Sequence, residues 1–86
     1  MIAAQCYIID TDHGTEAGTL IRNQNNTVAP IVIGEDVWIA ANSTVLKGSR
    51  IEDGAVIGAK SLVKGHVDAN SISVGIPVRH LKFRSE

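Results

Sequence analysis

The chain has 86 residues, a formal net charge of −1 and only 3% aromatic residues. A chain this short buries only about 60% of its unfolded surface, so we expect one small domain that gains stability from further copies of itself. The charge lacks the basic excess typical of nucleic-acid binding, and no apolar run approaches the roughly 20 residues of a membrane span. The single cysteine, Cys6, excludes an internal disulfide and favours a reducing, cytoplasmic location. We therefore expect neither nucleic acid nor membrane as a partner.

Two aliphatic residues, Ile2 and Ile8, stand six positions apart at the start of the chain, and Cys6 follows Ile2 by four. The same spacings recur downstream, where they define a six-residue repeat. We therefore predict that residues from about 2 to 13 form most of one coil of a repeating structure, with Cys6 on an interior position.

The repeat fails over residues 14–30. This segment is rich in Gly, Asn and Thr, which favours a loop that leaves the coil and returns to it. Loops of this length in compact domains are often functional, although a disordered or merely tolerated insertion is the alternative. The loop is therefore a candidate functional segment.

The repeat is most regular over residues 31–74. Every sixth position is an aliphatic anchor: Ile33, Ile39, Val45, Ile51, Ile57 and Val63. The position four residues after each anchor holds a small or short side chain: Val37, Ser43, Ser49, Ala55, Ser61 and Val67. In four of the six repeats the third residue after the anchor is Gly, Asn or Asp, which tolerate left-handed backbone. The pattern predicts a short strand and a corner in every hexad.

Three hexads make a triangular coil of eighteen residues. Anchors eighteen positions apart should then stack about 4.8 Å apart along the axis, as the pairs Ile33–Ile51, Ile39–Ile57 and Val45–Val63. We therefore predict an all-β fold: a single-stranded parallel β-helix of hexapeptide repeats that forms one domain over residues 1–86. Its coils span about 2–13 and 31–74, and its excursion loop spans about 14–30. Gly75 and Pro77 mark a turn into a short basic tail at about 75–86.

The sequence of residues 31–82 is similar to a known family. It reads IVIGEDVWIAANSTVLKGSRIEDGAVIGAKSLVKGHVDANSISVGIPVRHLK and resembles the C-terminal half of the hexapeptide-repeat acyltransferases, which include maltose, galactoside and xenobiotic O-acetyltransferases. The anchors, the corners, the VWI step and the terminal GIP turn occur in the same order, and TDHG at residues 11–14 matches more loosely. The resemblance implies a left-handed β-helix, a homotrimer and acetyl-CoA bound as co-substrate between subunits. It also implies O- or N-acetyl transfer to a small hydroxylated or amino acceptor such as a sugar.

Family enzymes carry a catalytic histidine just before the excursion loop, and His13 occupies that place. An imidazole titrates near neutrality, so it can remove the acceptor's proton during attack on the thioester. Asp10 or Asp12 could hold the second ring nitrogen; we keep Asp12 as the candidate, although the sequence does not decide between them. Without the family context, a histidine beside a loop is more often polar surface.

The resemblance also implies six positions near the coenzyme. The backbone N–H of Ala41 would donate to the thioester oxygen, and any residue type could supply that group. Trp38 would lie beside the coenzyme, or alternatively cover a corner of the coil. The remaining positions are Ala59, where a small side chain would let the pantetheine pass, and Lys64, Arg79 and Lys82 near the phosphates. A solvated lysine is the simpler interpretation of Lys64, and Ala40 replaces the glycine usual after VWI.

Two other interpretations stay open. The N-terminal part is short compared with typical family enzymes, which favours a non-catalytic trimerisation scaffold or a truncated transferase fragment. A metal hydratase resembling the γ-class carbonic anhydrases would use three histidines around zinc. The chain's three histidines are His13, His66 and His80, and they lack that family's close histidine pair. We therefore expect no metal site and favour the transferase.

Overall fold

The computed structural model describes residues 1–85, which form short β-strands and one 3-10 turn at Ile21–Asn23. The molecule is elongated, with extents of 50 × 20 × 19 Å. The strands are β1 Tyr7–Ile8, β2 Thr11–Asp12, β3 Thr27–Val28, β4 Val32–Ile33, β5 Trp38–Ile39, β6 Thr44–Val45, β7 Arg50–Ile51, β8 Val56–Ile57, β9 Leu62–Val63, β10 His66–Val67, β11 Ser71–Gly75 and β12 Val78–Phe83. No helix within the described residues is long and apolar enough to cross a membrane.

Three parallel sheets form the sides of a triangular prism. We name each side after a residue on its outer surface. The Trp38 face contains β5, β8 and β11, the Thr44 face contains β1, β6 and β9, and the Arg50 face contains β4, β7 and β10. The chain visits the three faces in turn, so the predicted all-β, left-handed parallel β-helix is confirmed.

The predicted eighteen-residue register is also confirmed. The three expected anchor pairs stack in the parallel sheets as Ile33–Ile51, Ile39–Ile57 and Val45–Val63. Upstream, Ile8 pairs with Val45 and Ile2 bridges to Ile39, so both N-terminal anchors join the same columns. The central anchors are completely buried, with 0% exposure at Ile39, Val45, Ile51, Ile57 and Val63. Burial of these slim aliphatic side chains is the main source of stability in the coils.

Buried serines fill the positions beside the anchors. The Ser43 hydroxyl donates to the Gly58 carbonyl at 3.1 Å and accepts the Ser61 N–H at 3.4 Å. The Ser49 hydroxyl donates to the Val63 carbonyl at 3.2 Å. Across residues 1–85, every buried side-chain nitrogen and oxygen has a hydrogen-bond partner. A hydroxyl can therefore replace an aliphatic group here without an unsatisfied polar atom.

The corners adopt the left-handed backbone that the sequence predicts. The positive-φ corner residues include Asp36, Asn42, Gly48 and Gly54, all expected from their residue types. Lys60 also has a φ of 57°, a conformation that usually costs a lysine about 1–2 kcal/mol. Its N–H donates to the Ala41 carbonyl of the preceding coil at 3.0 Å, so a backbone hydrogen bond between successive coils holds this corner in place.

The prediction for Val67 is wrong. Val67 does not occupy a small position four residues after an anchor, because it is itself an anchor that pairs with Ile51 and is 4% exposed. The coil that begins at Ile51 is therefore two residues shorter than the eighteen-residue coil before it, and Ser73 instead of an aliphatic residue stacks on Ile57. Gly65 provides the physical reason, since its φ of 103° allows a tighter corner than other residue types adopt.

Two strand pairs are antiparallel: one forms a stem beside the prism, and the other adds β12 to the edge of the Trp38 face. At the base of the excursion loop, β2 and β3 form an antiparallel stem in which Thr11 faces Val28 and Asp12 faces Thr27. At the other end of the molecule, the basic segment predicted as a tail forms β12, which pairs antiparallel with β11. Glu86, the last residue of that predicted tail, lies outside the described residues.

Candidate active site

His13 lies at the open end of the β2–β3 stem. It lines an open depression of about 620 Å³ together with Asp12, Gly14, Thr15, Glu16, Ile21, Thr27 and Lys47. Two backbone hydrogen bonds fix the stem against the coils: Ala29 N–H donates to the Asp10 carbonyl, and Gly48 N–H donates to the Ala29 carbonyl, both at 3.0 Å. The depression is thus formed jointly by the loop and by one corner of the prism.

Most groups that line this depression can form hydrogen bonds or carry charge. The Lys47 ammonium lies 3.8 Å from the Asp12 carboxylate, an ion pair on partly exposed side chains. Within residues 1–85 no hydrogen bond joins Asp12 to His13, and Asp10 lines a separate cavity with Ile8, Ile31 and Ile33. The structure therefore places Asp12 beside His13, while its role in holding the imidazole stays a prediction.

Trp38 lies in a second depression, on its own face of the prism. Its indole is 49% exposed and shares a pocket of about 380 Å³ with Met1, Asp36, Val37, Val56 and Arg84. The Arg84 guanidinium donates to the Asp36 carboxylate and to the Gly54 carbonyl, both at 3.2 Å. These bonds tie the residues after β12 to a corner of the coils beside the indole.

The other candidates for coenzyme binding are spread along the upper part of the prism. Ala41 and Ala59 occupy equivalent corners of successive coils, between the Trp38 and Thr44 faces, and Lys64 is exposed directly after β9. Arg79 and Lys82 are exposed on β12, opposite Val74 and Ile72 of β11. The single chain therefore brings His13 and Asp12 together and leaves the Trp38 depression separate from theirs.

The sequence did not indicate Lys47 and Glu16, which line the His13 depression, or Gln24, which is hydrogen-bonded to Glu16. Lys47 could have been found from the register, because Ile8 pairs with Val45 and so places residue 47 above residue 10, next to TDHG. The loop residues Glu16 and Gln24 follow no period, so no spacing predicts their contacts.

The three histidines lie on separate elements with different neighbours. His66 on β10 lies between two carboxylates, with Nε2 3.3 Å from Glu52 and Nδ1 3.3 Å from Asp68. His80 packs edge-to-face on Phe83. No group of three His, Cys, Asp or Glu residues with metal-binding geometry occurs among residues 1–85. The geometry therefore gives no support to a three-histidine zinc centre.

Comparison with known proteins agrees with this architecture. Residues 30–65 match the family described as bacterial transferase hexapeptide (six repeats). Residues 30–65 therefore carry hexapeptide repeats similar to those of the bacterial transferases. The resemblance inferred from the anchors and corners is thereby confirmed.

Three similar proteins are acetyltransferases, each longer than this chain. A probable acetyltransferase of Mycobacterium tuberculosis (strain ATCC 25618 / H37Rv), Rv3034c, is 39% identical over 85 residues, which are 98% of this chain and 28% of that protein. A maltose O-acetyltransferase from Clostridium difficile 630 superimposes with a TM-score of 0.88 and 32% identity, over 96% of this chain and 44% of that one. A galactoside acetyltransferase solved in complex with coenzyme A superimposes with a TM-score of 0.84 and 30% identity, over 92% of this chain and 39% of that one. This hexapeptide-repeat chain thus spans between about a quarter and a half of these relatives.

Proposed function

We propose that the protein is an acetyl-CoA-dependent O- or N-acetyltransferase that acts on a small hydroxylated or amino acceptor such as a sugar. The observation that carries the proposal is the position of His13, in a polar depression where the excursion loop leaves a hexapeptide β-helix. The relatives support the coenzyme, because a galactoside acetyltransferase of the same fold was solved with coenzyme A. The predicted cytoplasmic location and the absence of nucleic-acid partners stay predictions.

The proposed coenzyme residues, half-buried at Ala41 and exposed elsewhere, match the parts of acetyl-CoA. The small side chains at Ala41 and Ala59 lie at equivalent corners of successive coils and would leave room for a narrow pantetheine arm. The exposed cations Lys64, Arg79 and Lys82 would attract its phosphates. When bound, acetyl-CoA would supply an acetyl group activated as a thioester.

His13 acts in this proposal as the general base. Its imidazole accepts the proton of the acceptor's hydroxyl or amino group as that group's oxygen or nitrogen forms a bond to the acetyl carbon. The carbon–sulfur bond breaks, the electron pair leaves on the coenzyme sulfur, and the imidazolium can return its proton there. The backbone N–H of Ala41 is proposed to stabilise the negative charge that develops on the thioester oxygen.

A homotrimer would unite the two depressions. His13 and Trp38 line separate pockets of one protomer, so a coenzyme that contacts both residues needs a groove between two copies of the chain. The outer column of the Trp38 face is apolar, with Trp38, Val56 and Ile72 in register, and gives a second copy a surface to cover. Sedimentation equilibrium at micromolar concentration should give the mass of three chains. A stable folded monomer would remove both the trimer and the shared site.

The proposed function is tested by coenzyme A titration calorimetry and by the variant His13→Ala. We expect the parent to bind coenzyme A, and the variant to keep that affinity while its turnover falls roughly 10²- to 10⁴-fold, the usual span for a general base. His66→Ala is the matched control, because this exposed histidine lies on the Arg50 face and should leave turnover unchanged. Full activity of His13→Ala would refute the assignment of the base. A parent that neither binds coenzyme A nor acetylates sugars or amines would favour the trimerisation scaffold.

A further inference from the structure

One polar side chain in the excursion loop differs from the others in its burial. Gln24 is half-buried, whereas the other polar side chains of residues 14–30 are exposed. Its amide oxygen accepts the Glu16 N–H at 3.0 Å, and its amide nitrogen donates to the carbonyls of Glu16 at 3.0 Å and Thr19 at 2.9 Å. The side chain thus pairs with both backbone groups of Glu16, as a neighbouring strand would.

Gln24 also packs against the backbone next to His13. A Cβ atom added at Gly14 would lie 2.5 Å from the Gln24 Oε1 atom and 2.9 Å from its Cβ. Such distances are too short for any other residue, so glycine at this position permits the close approach of Gln24. One side chain therefore contacts the chain at Gly14 and Glu16, which both line the His13 depression.

The segment held by Gln24 has few other restraints. None of residues 15–23 is buried, and the β2–β3 stem pairs only residues on either side of this segment. Without burial, a loop keeps one conformation only through its polar contacts. The three hydrogen bonds of the Gln24 amide are thus the principal restraint on the wall formed by Gly14, Thr15 and Glu16.

We propose that Gln24 is a positioning residue that fixes this wall and thereby sets the affinity for the acceptor. The proposal rests on the acetyltransferase function proposed above. The wall offers the Thr15 hydroxyl and the Glu16 carboxylate beside His13, and both accept hydrogen bonds from O–H or N–H groups. The acceptor class is therefore a small molecule with several hydroxyl or amino groups. The coenzyme is assigned to other residues, so its affinity should not depend on Gln24.

Limited proteolysis tests the restraint without any assay of activity. Arg22 is the only Lys or Arg within residues 14–30, and it lies between the two backbone segments that Gln24 joins. We expect Gln24→Ala to raise the rate of tryptic cleavage after Arg22 by roughly tenfold, because the loop opens more often. Asn26→Ala is the control, since it removes an exposed amide from the same loop and should cleave at the parent's rate.

The isosteric variant Gln24→Glu separates hydrogen bonding from packing. A carboxylate keeps the volume of the side chain but cannot donate to the carbonyls of Glu16 and Thr19, so it should cleave as fast as Gln24→Ala. Parent-like cleavage of both variants would overturn the restraint. Parent-like cleavage of Gln24→Glu alone would show that packing, and not the amide, holds the loop.

Steady-state kinetics test the role toward the acceptor, with maltose and glucosamine as probe acceptors. We expect Gln24→Ala to raise the KM for the acceptor by roughly tenfold, while the Kd for coenzyme A changes by less than about twofold. An unchanged acceptor KM with faster proteolysis would overturn the positioning role and leave the restraint standing. A parent without activity would refute the proposed function, and with it the acceptor role, whereas proteolysis would still decide the restraint.

Discussion

The coils and the excursion loop are held by different physical means. The anchors of the coils are enclosed by other anchors, and five of them have no exposed surface. The loop has no buried residue between positions 14 and 30, and it keeps its shape through a two-residue stem and the Gln24 amide. The catalytic candidate His13 lies at the boundary between the two. The comparison shows how stability can come from a repeated interior while the chemistry lies on a segment that adds little to it.

The largest expected effect separates these two regions. Ile57→Asp would place a carboxylate among completely buried aliphatic anchors, at a cost of at least several kcal/mol, comparable to the stability of a whole small domain. We expect this variant to lose its cooperative thermal transition, as followed by circular dichroism. Val28→Asp makes the same kind of change at a loop position that is 62% exposed, and it should melt close to the parent.

Ile57→Asp melting like the parent would contradict the register of the coils. If Val28→Asp also lost its thermal transition, the loop would contribute as much stability as the interior. Either result would remove the distinction between the two regions.

The sequence predicts the coils well because one rule repeats. Six-residue spacing and eighteen-residue stacking place the three anchor pairs correctly. The rule fails at Val67, because a single tighter corner at Gly65 changes the register of every later residue. A repeat therefore predicts the usual length of a coil and does not predict a coil that is two residues shorter.

The candidate site is less predictable for a physical reason. TDHG placed His13 and Asp12 together, and the register could have added Lys47. The contact between Gln24 and Glu16 joins residues eight positions apart along an irregular path, and no periodicity encodes such a path. The separation of the His13 and Trp38 depressions was not predicted from the sequence either. His13 follows a strand of the β2–β3 stem, outside the three faces, so the register of the coils does not place it relative to Trp38.

The smallest expected effect concerns the outer surface of the coils. Glu52 accepts a hydrogen bond from the Arg50 guanidinium at 2.5 Å and lies 3.3 Å from the His66 ring. The Arg50 hydrogen bond is the main reason why the pKa of the Glu52 carboxyl lies below its usual range. A carboxyl with a lowered folded pKa contributes stability above its unfolded pKa, and that contribution is lost as the pH falls through the folded pKa. Acidification should therefore weaken this contact, although salt and solvent screen it on the surface.

The variant Glu52→Gln measures this contribution. It should be slightly less stable than the parent in urea unfolding at about pH 7, and the difference should shrink toward zero as the pH falls through the lowered pKa of the folded state. Added salt should reduce the difference at neutral pH, because the contact is exposed. A difference that stays constant across this pH range would mean that Glu52 stabilises the coil by packing and not by charge. If Glu52→Gln lost as much stability as Ile57→Asp, contacts on the outer surface would stabilise the prism as strongly as its buried anchors do, which would contradict the distinction drawn above.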